Sequence, residues 1–293
     1  MAKRLATLVL ALFLIGCAGL ERQPATNHAA PTDLVLLELA ERLPGRYGTA
    51  AAPDSGSGTR QIAVLLDAAG PDRITLVLSQ QGSAGTTRDS VLMLARTEPP
   101  SPDWLDGSFV PLDTSGNPGS LACQMRFRVR PDGLIGETDP DQCRFESGGQ
   151  SIGLLKELAF DGSRLLIADQ LIDVADGSAL HDPDVLRLHR LGRFAGRARI
   201  RDGGTDWRVA SPVEVDAGGS LVEPLDASGM SLGVVIDLDL VEGSEVGQPL
   251  LALRVLSENE DQVLGQAWAD PETERIGLAL PGVQISLVRL QER

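Results

Sequence analysis

The chain has 293 residues, with 41 Asp and Glu against 26 Lys and Arg, a formal charge of −15 and only 3% aromatic residues. So acidic a chain, without a basic cluster, is a poor partner for nucleic acid, and so few rings argue against a site built on stacked aromatics. The length leaves room for one large or two small domains; lysine is nearly absent, and arginine carries the positive charge.

Lys3 and Arg4 open a basic segment, followed by an apolar run from Leu5 to Ile15. That run is too short for a membrane span of about 20 residues. It closes on Leu14-Ile15-Gly16-Cys17, which resembles the lipobox of bacterial lipoproteins. An ordinary signal peptide with an incidental cysteine is the alternative. The resemblance implies a signal peptide over residues 1–16, lipidation at Cys17 and acyl chains that hold the mature protein to a membrane. By analogy with other lipoproteins, Ala18 after the cysteine implies the outer membrane, facing the periplasm. Residues 17–32 are polar and Pro/Ala-rich and read as a lipidated flexible tether, in which His28 is inert.

Asp33 to Leu43 is predicted to be helical. Asp33 can cap it, Leu36, Leu39, Ala40 and Leu43 form one apolar face, and Pro44-Gly45 ends it. Residues 52–58 read as loop. Ile62–Asp67, Arg73–Ser79 and Ser90–Ala95 read as short strands. Residues 97–120, rich in Pro, Ser, Gly and Asp, read as a long excursion that Trp104 and Phe109 pin to the body, or cover a cavity with as an aromatic lid.

Phe127 and Val129 then alternate with Arg126, Arg128 and Arg130, the period of a half-buried strand. Pro131-Asp132-Gly133 supplies a turn, and Leu134 begins the return strand. Cys123 and Cys143 bracket the hairpin, so strand pairing would bring them within disulfide range; two reduced, buried cysteines are the alternative. Ser151–Phe160, Arg164–Val174 and Asp184–Arg190 continue as strands broken at Asp161-Gly162 and Asp176-Gly177. One helix and about eight strands joined by turns predict an all-β domain, a closed or nearly closed antiparallel barrel.

The order of helix, Leu43-Pro44-Gly45-Arg46-Tyr47, short strands, Cys123-Gln124-Met125, Gly136-Glu137-Thr138 and Cys143-Arg144-Phe145 resembles the CpcT/CpeT family of chromophore lyases. The resemblance spans Leu34 to Leu191. It implies a lipocalin-like β-barrel over residues 33–192, a bilin or other tetrapyrrole as ligand, lyase activity on bilin attachment, and a homodimer. Arg88 stands where the family carries an arginine on an early strand, without the family's neighbouring tyrosine, and Asp169 where it carries an aspartate in its penultimate strand region.

Residues 193–293 read as a second all-β domain, a small sandwich or barrel of six to eight strands. Residues 197–204 (RARIRDGG) and Asp216–Ser220 read as turn-rich. Val234–Leu240, Leu251–Leu256, Val263–Trp268, Ile276–Leu280 and Val283–Leu290 read as strands. One enlarged barrel formed by both halves is the alternative. Trp207 and Trp268 read as core anchors, and Asp237 and Asp239 as a wet face.

No nucleophile elbow, phosphate loop, zinc-protease or dinucleotide motif is present. His181 and His189 are too far apart on an extended strand to share a metal. The candidate ligand-binding residues are therefore Arg88, Arg126, Glu157 and Asp169. Arg126, Arg128, Arg130 and Arg144 read as a solvated face offsetting nearby Asp and Glu, or as an anion-accepting cavity mouth at Arg126; Glu157 and Asp169 would pair with such an arginine inside the barrel. Three functions fit: a lipid-anchored barrel binding a small amphipathic ligand, a bilin lyase as the resemblance implies, and an envelope scaffold docking a protein partner.

Overall fold

The computed structural model describes residues 31–51, 60–81, 87–201, 205–244, 248–259 and 262–291. The expected signal segment, Cys17, the tether up to residue 30 and the loop at 52–58 lie outside the described residues.

The first body holds one helix, α1 (Pro31–Arg42), and eleven strands. These are β1 (Gly45–Gly48), β2 (Gln61–Ala69), β3 (Arg73–Gln81), β4 (Thr87–Arg96), β5 (Trp104–Pro111), β6 (Cys123–Arg130), β7 (Gly133–Thr138), β8 (Arg144–Ser147), β9 (Gln150–Phe160), β10 (Arg164–Asp173) and β11 (Asp184–Arg190). Ten of them close into an antiparallel barrel, because β9 bonds to both β7 and β10, and β10 leads through β11 to β1. The short β8 pairs with β9 outside the ring.

Alternation explains the closure. Ile74, Leu76 and Leu78 on β3, Leu92 and Leu94 on β4, Leu105 on β5 and Phe127 on β6 face inward and are buried, while their neighbours face out. The interior is packed rather than hollow. A Cβ at Gly107 or Gly136, on the two strands flanking β6, would come within 2.5 or 2.3 Å of the Phe127 ring. The missing side chains make room for that ring.

Leu36, Leu39 and Ala40 of α1, with Leu43 just after it, join the same core and plug one end of the barrel, beside the turns at Pro131 and Gly162. The helix begins at Pro31, so Asp33 lies inside it rather than before it.

Residues 97–120 differ from expectation. They carry β5, a full barrel strand in register with β4 and β6. Its Gly107 and flanking prolines hid an alternation that burial makes plain. Together with the short β1, it raises the barrel from eight expected strands to ten.

The chain leaves the barrel at Arg190 and enters different sheets. One holds β12 (Arg193–Ile200), β13 (Arg208–Asp216), β17 (Arg275–Ala279) and β18 (Val283–Arg289) in the order β13-β12-β18-β17. The other holds β14 (Val234–Glu242), β15 (Pro249–Ser257) and β16 (Val263–Ala269). The two halves therefore do not share one enlarged barrel. The two smaller sheets share a separate apolar cluster that includes Phe194, Ile236, Leu238, Leu253 and Leu287. Of the stretch 197–204 expected to be turn-rich, Arg197–Ile200 is strand, bent by a bulge between Gly196 and Ala198, and residues 202–204 lie outside the described residues. A parallel bridge from Ala51 to Val241 and an Arg46–Asp216 ion pair of 2.8 Å join this part to the barrel wall.

Two further expectations are corrected. Asp237 and Asp239 are buried, 3% and 8% exposed. Asp237 accepts a bond from Arg254 Nε at 2.8 Å, and residues 218–222 cover the edge of β14. Trp268 is 55% exposed. Its neighbours Ala267 and Ala269 pair with Leu253 and Leu251 on the inward face, so Trp268 points the other way. Trp207 is half-buried between Arg199 and Arg201, each guanidinium 5.4 Å from the ring centre.

Candidate functional site

The barrel end opposite α1 carries the polar residues. Gln80 and Arg88 continue the inward rows of β3 and β4, Phe109 and Pro111 continue that of β5, and Lys156 and Asp169 those of β9 and β10. With Ile62, Leu78, Leu154 and Ile167 they line a pocket of about 220 Å³. Asp89 and Ser90 complete its lining; Lys156 and Asp169 stand on neighbouring strands, and Arg88, on β4, faces them from the opposite wall.

Lys156 is the buried charge of the pocket. It is only 7% exposed. Its Nζ donates to Asp169 Oδ1 at 2.5 Å, and the two residues are directly opposed on β9 and β10. On its other side lies the Phe109 ring, with its centre 4.5 Å from Nζ. A buried ammonium needs a partner, and here a carboxylate and a ring face supply it.

The cysteine hairpin holds the Lys156 wall in place. Cys123 and Cys143 form a disulfide with their α-carbons 4.7 Å apart. The Leu154 amide donates to the Cys143 carbonyl at 2.7 Å. The β7–β9 ladder ends at Glu137, and the Thr138 side chain takes over. Its hydroxyl donates to the Leu154 carbonyl at 2.6 Å and accepts from the Lys156 amide at 2.8 Å. Phe109 is the register partner of Cys123. The Gly136-Glu137-Thr138 and Cys143 segments thus fix the backbone that carries Lys156.

The structure places the expected residues unequally. Arg88 and Asp169 both line the pocket. Arg88 has no ion-pair partner among the described residues, and lies at the rim. Arg126 is exposed on the outer wall, over the Trp104 ring at 4.7 Å. Glu157 also faces out, opposed to Glu137 and Ala168. The period of two decides both: Phe127 and Lys156 take the inside, so Arg126 and Glu157 cannot. The interior cation paired with Asp169 is thus Lys156 rather than an arginine. Lys156 was missed as a site residue, although its rarity was a signal: the chain has two lysines, and the other is Lys3.

A second cavity of about 310 Å³ lies at the plugged end, on the outer wall, lined by Ile135, Ala159, Leu166, Arg187 and His189 among others. Burial lowers the pKa of His189, and the Arg164 guanidinium adds to the effect. Among the described residues no group of His, Cys, Asp and Glu is placed to hold a metal ion.

No family model matches the chain, and no curated protein matches it.

Proposed function

We propose that the barrel is a binding module for a small amphipathic molecule, held at its open end. The observation that carries this reading is the pocket itself: apolar surface from Ile62, Leu78, Phe109, Leu154 and Ile167, with the Lys156–Asp169 pair on one wall and Arg88 on the wall opposite. Convergent polar groups in an apolar recess are the usual form of a small-molecule site. The volume of about 220 Å³ is below the ~300 Å³ at which sites for drug-sized ligands begin. It favours a short-chain molecule over a tetrapyrrole. The family likeness supports a lipocalin-like barrel, and bilin transfer is the weaker reading because the space beside Lys156 is small.

The lipobox-like sequence ending at Cys17 supports an outer-membrane anchor with the barrel in the periplasm. The separate core around Ile236 and Leu253 supports reading residues 193–293 as a second β domain. Calorimetric titration of the detergent-solubilised chain with hexanol and hexanoate tests the binding reading. Saturable binding of either is expected, with hexanoate about tenfold weaker in Arg88→Ala at unchanged melting temperature. If neither probe binds the wild-type chain, the module reading fails.

A further inference from the structure

We propose that Lys156 is a reactive amine that captures a small apolar aldehyde as a protonated imine, with Asp169 as counter-ion. This rests on the reading of the barrel mouth as a ligand site, and it names the reactive group of that ligand.

Composition is the first argument. Lys156 is the one lysine among the described residues, in a chain that otherwise uses arginine. Arginine is the usual partner for a half-buried carboxylate, because its planar fork offers two parallel donors. The adjoining space of about 220 Å³ leaves room for the longer side chain. Neither charge nor volume therefore calls for lysine here. What lysine adds is a primary amine that can lose a proton and attack a carbonyl carbon.

The surroundings are the second argument. Lys156 projects into a pocket rather than into closed core, and its backbone is pinned by Thr138. Phe109, Leu154 and Ile167 wall the space beside it and limit the water that would hydrolyse an imine. The carboxylate of Asp169, 2.5 Å from Nζ, is placed both to take a proton and to stay beside a cationic nitrogen.

The step balances without an oxidant or a reductant. Asp169 accepts one proton from the ammonium. The freed lone pair forms a C–N bond to the aldehyde carbon, and a second nitrogen proton moves to the former carbonyl oxygen. The proton held by Asp169 then passes to that oxygen, the C–O bond breaks and water leaves. Ammonium and aldehyde become iminium and water, and Asp169 ends as a carboxylate.

The test is reductive trapping. The detergent-solubilised full chain is incubated with hexanal, cyanoborohydride and free Nα-acetyl-lysine as an internal competitor, and digested for peptide mass mapping. Expected are saturable labelling of the Lys156 peptide at least about tenfold faster than of the free amine, and competition by hexanol. Asp169→Asn should slow labelling, and Lys156→Arg should abolish it at an unchanged melting temperature. Labelling no faster than that of acetyl-lysine, or a rate indifferent to Asp169→Asn, overturns the proposal. If hexanol still binds by calorimetry in that case, the ligand-site reading stands and only the imine is lost; if hexanol also fails to bind, both go.

Discussion

Arg190 donates to the Tyr47 hydroxyl at 2.7 Å and lies 5.0 Å from the centre of that ring, which ties the last barrel strand to the first. The same guanidinium donates to the Pro44 carbonyl at 2.9 Å and to the Arg42 carbonyl, while the Tyr47 hydroxyl donates to the Leu43 carbonyl at 2.7 Å. The end of α1 and the closure of the barrel therefore share one side chain. Gly45 permits the approach, since a Cβ there would meet Arg190 Nη1 at 2.4 Å. Tyr47→Phe should destabilise the chain by about 2 kcal/mol, because the buried Leu43 carbonyl loses its hydroxyl donor and the half-buried Arg190 loses one of its acceptors. Arg190→Lys should cost at least as much. In a urea double-mutant cycle the two should couple; additive losses would mean that the contact is incidental.

The Cys123–Cys143 bridge spans 20 residues and sits at the mouth. Closing a loop of that length stabilises a chain by about 3 kcal/mol. Reduction, or the Cys123→Ala/Cys143→Ala double variant, should lower stability by roughly that amount. It should also weaken hexanol binding, since Leu154 is hydrogen-bonded to Cys143. A double variant with full affinity would show that Thr138 alone holds the strand carrying Lys156.

Arg254 and Asp237 offer a test away from the mouth. Asp237 is 3% exposed and its Oδ1 is buried without a hydrogen-bond partner, so its charge depends on the bond to Arg254. Removing the cation from a buried pair costs several kcal/mol, less where that cation is partly solvated as here. Arg254→Met should therefore destabilise by about 2 kcal/mol, and adding Asp237→Leu should restore most of the loss. Denaturant midpoints measure both; no recovery in the double variant would contradict this account.

His189 predicts a pH effect. Its folded-state pKa lies below the ordinary value of 6.5, first through burial and then through Arg164, against the opposing charges of Asp161 and Glu272. The unfolded chain then binds this proton more readily than the folded one. The contribution of His189 is intact above the unfolded value and is lost as pH falls through the folded one. Unfolding free energies of wild type and His189→Gln should therefore converge as pH falls from about 7.5 to about 5. Parallel curves over that range would reject the assignment.

The strands that carry a clean period of two were legible in the sequence. Arg73–Ser79, Arg164–Val174 and Asp184–Arg190 match β3, β10 and β11 within a few residues, because one buried face imposes alternation on the chain itself. β5 was not legible: its Gly107 gives way to Phe127, a residue twenty positions away, and no local pattern reports that. At the mouth, Arg88 and Asp169 could be named in advance; Arg126 lies on a solvated outer face, one of its two readings, and Glu157 faces out rather than into the barrel.

By itself the sequence determined where the alternation runs, that two cysteines bracket a hairpin, and that lysine is almost missing. Those are properties of composition and local spacing. Only the tertiary structure decided how many strands close the ring, which aspartates are buried, and that Lys156 meets Asp169 across neighbouring strands. Strand closure brings distant residues together, and one position in two faces inward. That choice depends on the register of pairing between strands, which no single strand contains.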